Sequence, residues 1–155
     1  MNFRLIANTT SYVLWVEAGF LLLPLLVSVL YGEPWMPFFA TAVLCILIGF
    51  ILQLVPVKKA QMHSRDGFMA VALGWIALSL TGALPYVFSG ALTEYEDAVF
   101  ETVSGLTTTG STVFPEVEHL YRSVLLWRSL TQWMGGMGVL VLFLALMPKL
   151  GDGAV

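Results

Sequence analysis

The sequence predicts an all-α integral membrane protein: two N-terminal transmembrane helices followed by one helix, re-entrant loop, helix repeat. Three observations lead there. The 155 residues are 58% hydrophobic and only 11% charged, against roughly a quarter charged in an average soluble domain. Four apolar stretches approach the roughly 20 residues that a hydrocarbon core about 30 Å thick requires. Between the third and fourth, a short amphipathic segment runs into Thr107-Thr108-Thr109-Gly110-Ser111-Thr112. Such polar, unwound backbone is tolerated at membrane depth only where it lines a water-filled path or is buried in protein.

The first stretch, Tyr12 to Tyr31, is longer than the roughly 7–15 residues of a secretory h-region and lacks a small-residue cleavage site, so it reads as a retained span. Tyr31-Gly32-Glu33-Pro34-Trp35 is a tight turn whose aromatic residues suit the headgroup layer. The second span is Met36 to Val55, the third Phe68 to Ser89 and the fourth Leu125 to Met147. Pro24 and Pro85 lie inside spans and predict kinks. The organisation is a two-helix hairpin over residues 1–60 and a repeat over residues 61–155.

The link from Pro56 to Asp66 holds Lys58, Lys59, His63 and Arg65, while Arg4 precedes the first span and Lys149 follows the last. The positive-inside rule therefore places both termini in the cytoplasm. Residues 90–122 fall outside and carry Glu94, Glu96, Asp97, Glu101, Glu116 and Glu118. These form either a solvated loop face or a field that concentrates cations.

Within that region, Thr93 followed by Glu96 is a capping-box pattern, so a helix should start near Thr93. Ala98, Val99, Thr102, Val103 and Leu106 give it one apolar face, with Gly105 loosening its end. From Glu94 to Leu106 the helix would be roughly 20 Å long, too short to cross. The chain must then return outward to reach Glu116 and Glu118, which are costly to bury. The helix carboxyl end points partial negative charge inward, favouring a cation.

A dehydrated monovalent cation needs oxygens in place of its water, and a row of backbone carbonyls supplies them without full charges. Thr108, Thr109, Gly110 and Ser111 form such a row, Gly110 permitting the backbone angles that aim a carbonyl at an axis. Taken without its context, the same run is a polar turn.

A net charge of -3 with dispersed basic residues gives no field for nucleic acid. Cys45, the only cysteine, reads as a small buried hydrophobe. His63 and His119 are lone and solvated. No base stands beside a nucleophile, so neither an enzyme nor a cofactor is expected. Glu17 is an intramembrane carboxylate, functional by default or reaching the headgroup layer near the cytoplasmic end. Arg128 either pairs with a loop carboxylate or caps its helix at the interface. Gly135, Gly136 and Gly138 allow close packing or a bend.

The run Phe100 to Thr112 resembles the first pore loop of the Trk/Ktr/HKT superfamily of potassium uptake proteins, in its bacterial Trk branch. Trp127 to Gly138 is similar to the start of the helix after that loop, and Arg65-Asp66-Gly67-Phe68 and Gly82-Ala83-Leu84-Pro85-Tyr86 to the helix before it. The resemblance implies potassium transport through a carbonyl filter, with the ion at Thr108, Thr109, Gly110 and Ser111 and no transition-metal site. It also implies a multi-pass protein of the bacterial inner membrane, surrounded by lipid, a cytoplasmic nucleotide-binding regulatory subunit, and a homodimer for the complete protein. The family carries four repeats around one axis, and three are expected to be absent here. The alternative is a non-conducting assembly or scaffold subunit, or an inactive truncated fragment.

Overall fold

A computed structural model describes the backbone of residues 3–54 and 64–151, with side chains from 6 to 54 and from 66 to 138. The helices are α1 (Phe3–Tyr31), α2 (Met36–Gln53), α3 (Ser64–Gly82), α4 (Leu84–Phe88), α5 (Tyr95–Leu106) and α6 (Arg122–Gly151). No strand occurs among the described residues. Three segments there are long and apolar enough to cross a membrane: Ile6–Tyr31, Met36–Gln53 and Asp66–Phe88. The fourth expected span falls within α6, whose side chains from 139 onward lie outside the described residues. So do the basic link residues Lys58, Lys59 and His63, the side chains of Arg4, Arg65 and Lys149, and the division at residue 60.

The α1–α2 turn is built by a left-handed glycine. Gly32 has φ +68°; its N–H donates to the Val29 carbonyl, and the Glu33 N–H reaches back to Ser28 at 2.8 Å. These two bonds satisfy carbonyls that the helix end leaves without partners. The hairpin then closes tightly because Gly49 faces α1, where a Cβ would collide with the Trp15 indole.

The two prolines behave differently. α1 runs as one element of 29 residues through Pro24. At Pro85 the chain breaks: α3 stops at Gly82 and a new turn starts after Ala83, with the proline in its first positions. The Tyr86 N–H then bonds Ala83 instead of Gly82, and the Gly82 carbonyl accepts the Trp127 indole N–H at 2.9 Å. The carbonyl released where the Tyr86 N–H turns to Ala83 thereby becomes a bond between α3 and α6.

One core joins the helices: Leu14, Ala18 and Leu21 of α1, Phe38, Ala42 and Cys45 of α2, then Ala83, Tyr86, Ala98, Phe114, Val124 and Trp127. Cys45 is fully buried, as expected of a small hydrophobe. The outer faces remain apolar, with Leu22, Leu26, Phe50, Ile51 and Ile76 exposed. Lipid is as apolar as these side chains, so close van der Waals packing and polar bonds hold the helices together, not removal of surface from water.

Of the two readings of Glu17, the intramembrane one is realised. It does not reach a headgroup layer but is 1% exposed at the middle of α1, because Thr81 of α3 and Cys45 of α2 close over it.

Candidate functional site

The site is built on α5, which packs between α3 and α6. Its first turn is fixed by Tyr95, whose hydroxyl donates to the Leu80 carbonyl at 2.8 Å. The expected capping box at Thr93 and Glu96 does not form: Glu94 is the N-cap, in extended conformation, without a side-chain cap bond. The anchor on α3 sets the start instead, and Glu96 and Asp97 in the first turn complement the dipole. From there α5 runs back along α3, Val99, Val103 and Leu106 sharing a groove with Trp75, Ile76 and Leu80.

The buried face of α5 keeps Ala98, Thr102 and Leu106 of the face the apolar spacing predicts and is rotated to take in polar neighbours. Ala98, Glu101, Thr102, Ser104, Gly105 and Leu106 are buried, whereas Val103 is 38% exposed. A polar network turns the helix. Gly105 also does something other than loosen the helix end: a Cβ there would strike the Thr131 hydroxyl of α6. Opposite it, a Cβ on Gly135 would strike the Leu106 carbonyl oxygen. These two glycines bring α5 backbone against α6 near the midpoint of that helix, which itself continues unbroken. Of the two readings of the α6 glycines, close packing is the one realised.

At this depth α5 ends. The Thr109 N–H bonds the Ser104 carbonyl at 3.0 Å and the Thr108 N–H bonds Gly105 at 2.9 Å, a paired closure with one residue held left-handed. That residue is Thr108, at φ +56°, a conformation unusual for a β-branched side chain. Gly110 follows at φ +78°. A Cβ on Gly110 would meet nothing within 4 Å, so its backbone angle, not lack of space, calls for glycine.

The expected site residues Thr108, Thr109, Gly110 and Ser111 are thus consecutive and exposed at the tip. Donors here point inward, since the N–H groups of Thr107, Thr108, Thr109 and Gly110 are all bonded within the turn. Among the described residues, the carbonyls of Thr108, Thr109 and Gly110 accept no hydrogen bond. Ser111 differs: its carbonyl accepts the Ser104 hydroxyl at 2.6 Å. The hydroxyls of Thr107 and Thr109 lie 2.8 Å apart beside the free carbonyls.

The return segment is held by Glu101, which is 3% exposed and therefore no part of an acidic outer surface. Its Oε2 accepts the Thr112 hydroxyl at 2.9 Å and the Val113 N–H at 3.1 Å, while Oε1 accepts Arg128 Nε at 2.6 Å. Arg128 fulfils the pairing reading, and it also lies over the Phe114 ring, 5.7 Å from its centroid. Phe114 in turn packs against Tyr86. A buried carboxylate with three donors is a satisfied one.

Farther out, Glu116 pairs with exposed His119 at 3.2 Å. Glu33 from the α1–α2 turn caps α6: its carboxylate accepts the Arg122 N–H at 2.9 Å, the Ser123 N–H at 3.0 Å and the Ser123 hydroxyl at 2.6 Å. Burial pushes the Glu33 carboxyl up, but these bonds and the Arg122 charge outweigh it and hold the group below its ordinary value.

Sequence reasoning missed three participants, Ser104, the Glu101 clamp and the Glu33 cap, and it named Thr108 without foreseeing its left-handed backbone. Glu101 had one usable signal, its place three residues after Ala98 on a helix face. Among the described residues, no three His, Cys, Asp or Glu side chains gather to hold a metal ion.

Residues 35–155 of this all-helical membrane protein match the family model described as TrkH, cation transport protein. The chain belongs to the TrkH family. It is 38% identical over 159 residues to the Trk system potassium uptake protein TrkH of Salmonella typhimurium, covering 100% of this chain and 33% of that protein. To the Trk system potassium uptake protein TrkG of Escherichia coli it is 36% identical, covering 97% of this chain and 32% of the relative. An uncharacterised cation transporter of Methanocaldococcus jannaschii is 38% identical over 87% of this chain and 28% of its own length. The chain spans about a third of the length of these curated relatives, which are named as transport proteins, not enzymes.

Proposed function

We propose that this chain forms part of a potassium-conducting membrane subunit, in which residues 107–112 are one quarter of a filter ring. The observation that carries the reading is the tip geometry: donors of Thr107 to Gly110 are consumed inside the turn while the carbonyls of Thr108, Thr109 and Gly110 stay free. A cation shedding its water needs that arrangement, oxygens presented and N–H dipoles turned away. The carboxyl end of α5 adds partial negative charge at the same place, at a depth where the flanking helices are near their midpoints.

Thr108, Thr109 and Gly110 contribute carbonyls directly. Ser111 contributes through a carbonyl that Ser104 already steadies, which makes it the weakest ligand of the row. Glu101 and Arg128 hold the return strand without touching the ion. The subunit is neither an enzyme nor dependent on a cofactor, potassium being its cargo. The division at residue 60 into a hairpin and a first repeat, both termini in the cytoplasm, the bacterial inner membrane, a cytoplasmic nucleotide-binding regulatory partner and a dimer of the complete protein all belong to this reading. The basic residues flanking the spans support the cytoplasmic termini; the other features rest on the family resemblance alone.

The test is Gly110→Ala in the complete protein. The added methyl has open space, so the fold persists and only the backbone angle is opposed, at about 1–2 kcal/mol. Permeability for potassium relative to sodium should fall, and growth of an uptake-deficient strain on limiting potassium should slow. An unchanged permeability ratio overturns the filter assignment.

A further inference from the structure

The mid-membrane carboxyl of Glu17 has no part in the loop network. It is 1% exposed, and its Oε2 lies 2.6 Å from Thr81 Oγ1 and 3.7 Å from Cys45 Sγ. No ion pair to it occurs among the described residues. The groups that face it are Cys45 from α2, Thr81 and Gly82 from α3, and, across Gly82, Thr102 of α5 and Trp127 of α6. Cys45 is the one ionisable group among them, Tyr12 also lines the apolar cavity that Glu17 borders, and among the described residues no cation pairs with the carboxylate.

Thr81 Oγ1 also lies 2.8 Å from the carbonyl oxygen of Ala77, and a hydroxyl carries one hydrogen. With that hydrogen given to Ala77, as helix threonines commonly do, a carboxyl hydrogen bridges the 2.6 Å contact to Glu17. The ionised alternative would take the hydroxyl hydrogen away from Ala77 and leave a full charge in apolar surroundings with one hydroxyl and one thiol as donors, an arrangement the interior penalises heavily.

We propose that Glu17 is a protonated carboxylic acid whose O–H donates to Thr81, and that this neutral link seats the N-terminal hairpin on the loop-bearing half of the chain. Its position explains why the link matters there. A Cβ on Gly82 would lie 3.1 Å from Glu17 Oε1, 2.9 Å from Thr102 and 3.6 Å from Trp127, so α1, α3, α5 and α6 meet at one point beside the acid. Glu17 is a positioning residue that acts on α5 through this junction.

The experiment is infrared difference spectroscopy of the complete protein in lipid, parent against Glu17→Gln. A protonated carboxyl stretch should be present in the parent at neutral pH and vanish in E17Q. Thr81→Val should move that band to higher frequency, because the acid loses its acceptor. Gln keeps a neutral donor of the same length, so E17Q should unfold close to the parent, whereas Glu17→Ala should lower the folded-to-unfolded ratio about tenfold by removing the hydrogen bond between α1 and α3. A carboxylate band in place of the carboxyl band, a T81V spectrum identical to the parent's, or an E17Q protein as unstable as E17A overturns the proposal. The vibrational readout is independent of ion passage and so of the filter assignment.

Discussion

Two helix ends in this chain are closed by the same pair of hydrogen bonds and differ in the residue that bends. At the end of α1, Gly32 takes the left-handed conformation and Glu33 reaches back to Ser28; at the end of α5, Thr108 takes it and Thr109 reaches back to Ser104. Glycine does this without steric cost, whereas a side-chain-bearing residue gives up about 1–2 kcal/mol. The hairpin turn only has to reverse the chain. In the proposed filter the α5 turn would also present oxygens, and its strain is held by neighbours that the hairpin turn lacks: Glu101, Arg128 and the close approach of Gly135. Strain of this kind persists where surrounding structure over-determines it, and it clusters at functional positions.

The contrast can be broken most forcefully by removing the support. Arg128→Met leaves Glu101 buried without its cation and should destabilise the protein by about 3–5 kcal/mol, seen as a fall in the unfolding midpoint together with loss of transport. Gly135→Ala pushes a methyl into the Leu106 carbonyl and should cost about 1–3 kcal/mol; a silent substitution would mean that α5 does not depend on this approach.

Exchanging the bending residues sharpens the comparison. Gly32→Ala should destabilise by about 1 kcal/mol, while Thr108→Gly should leave stability unchanged or raise it by up to about 1 kcal/mol and yet weaken potassium selectivity. Equal effects on stability at the two sites would erase the distinction drawn here.

The smallest effect concerns pH. Glu33 has a folded-state value below its ordinary one near 4.5, so its stabilising contribution is complete above that value and is lost as pH falls through the lower folded one. A half-buried cap of this type is worth about 1 kcal/mol or less. Thermal unfolding of the parent and of Glu33→Gln should therefore differ at neutral pH and converge in acid.

The spans were legible because bilayer thickness imposes a length on apolar runs, and the short helix from 95 to 106 because its acidic first turn and apolar spacing are local signals. The loop tip was legible for a related reason: six polar residues between apolar helices have few places to go. What could not be read were contacts across the chain. Nothing near Arg128 in sequence marks Glu101, 27 residues away, as its partner, and Glu33 caps a helix that begins 89 residues later. Gly105 read as a local loosening because its true constraint, Thr131, lies on another helix. The choice between the two readings of Glu17 was hidden by the same limit, since burial at a junction of several helices has no signature within α1.

The segment from Pro115 to Tyr121 joins two places that are each fastened independently: Thr112 and Val113 by Glu101 on one side, Arg122 and Ser123 by Glu33 on the other. Because neither anchorage relies on the other, this stretch is the natural site to splice in an affinity tag or a protease recognition sequence. A polypeptide severed there would keep both of its new ends docked.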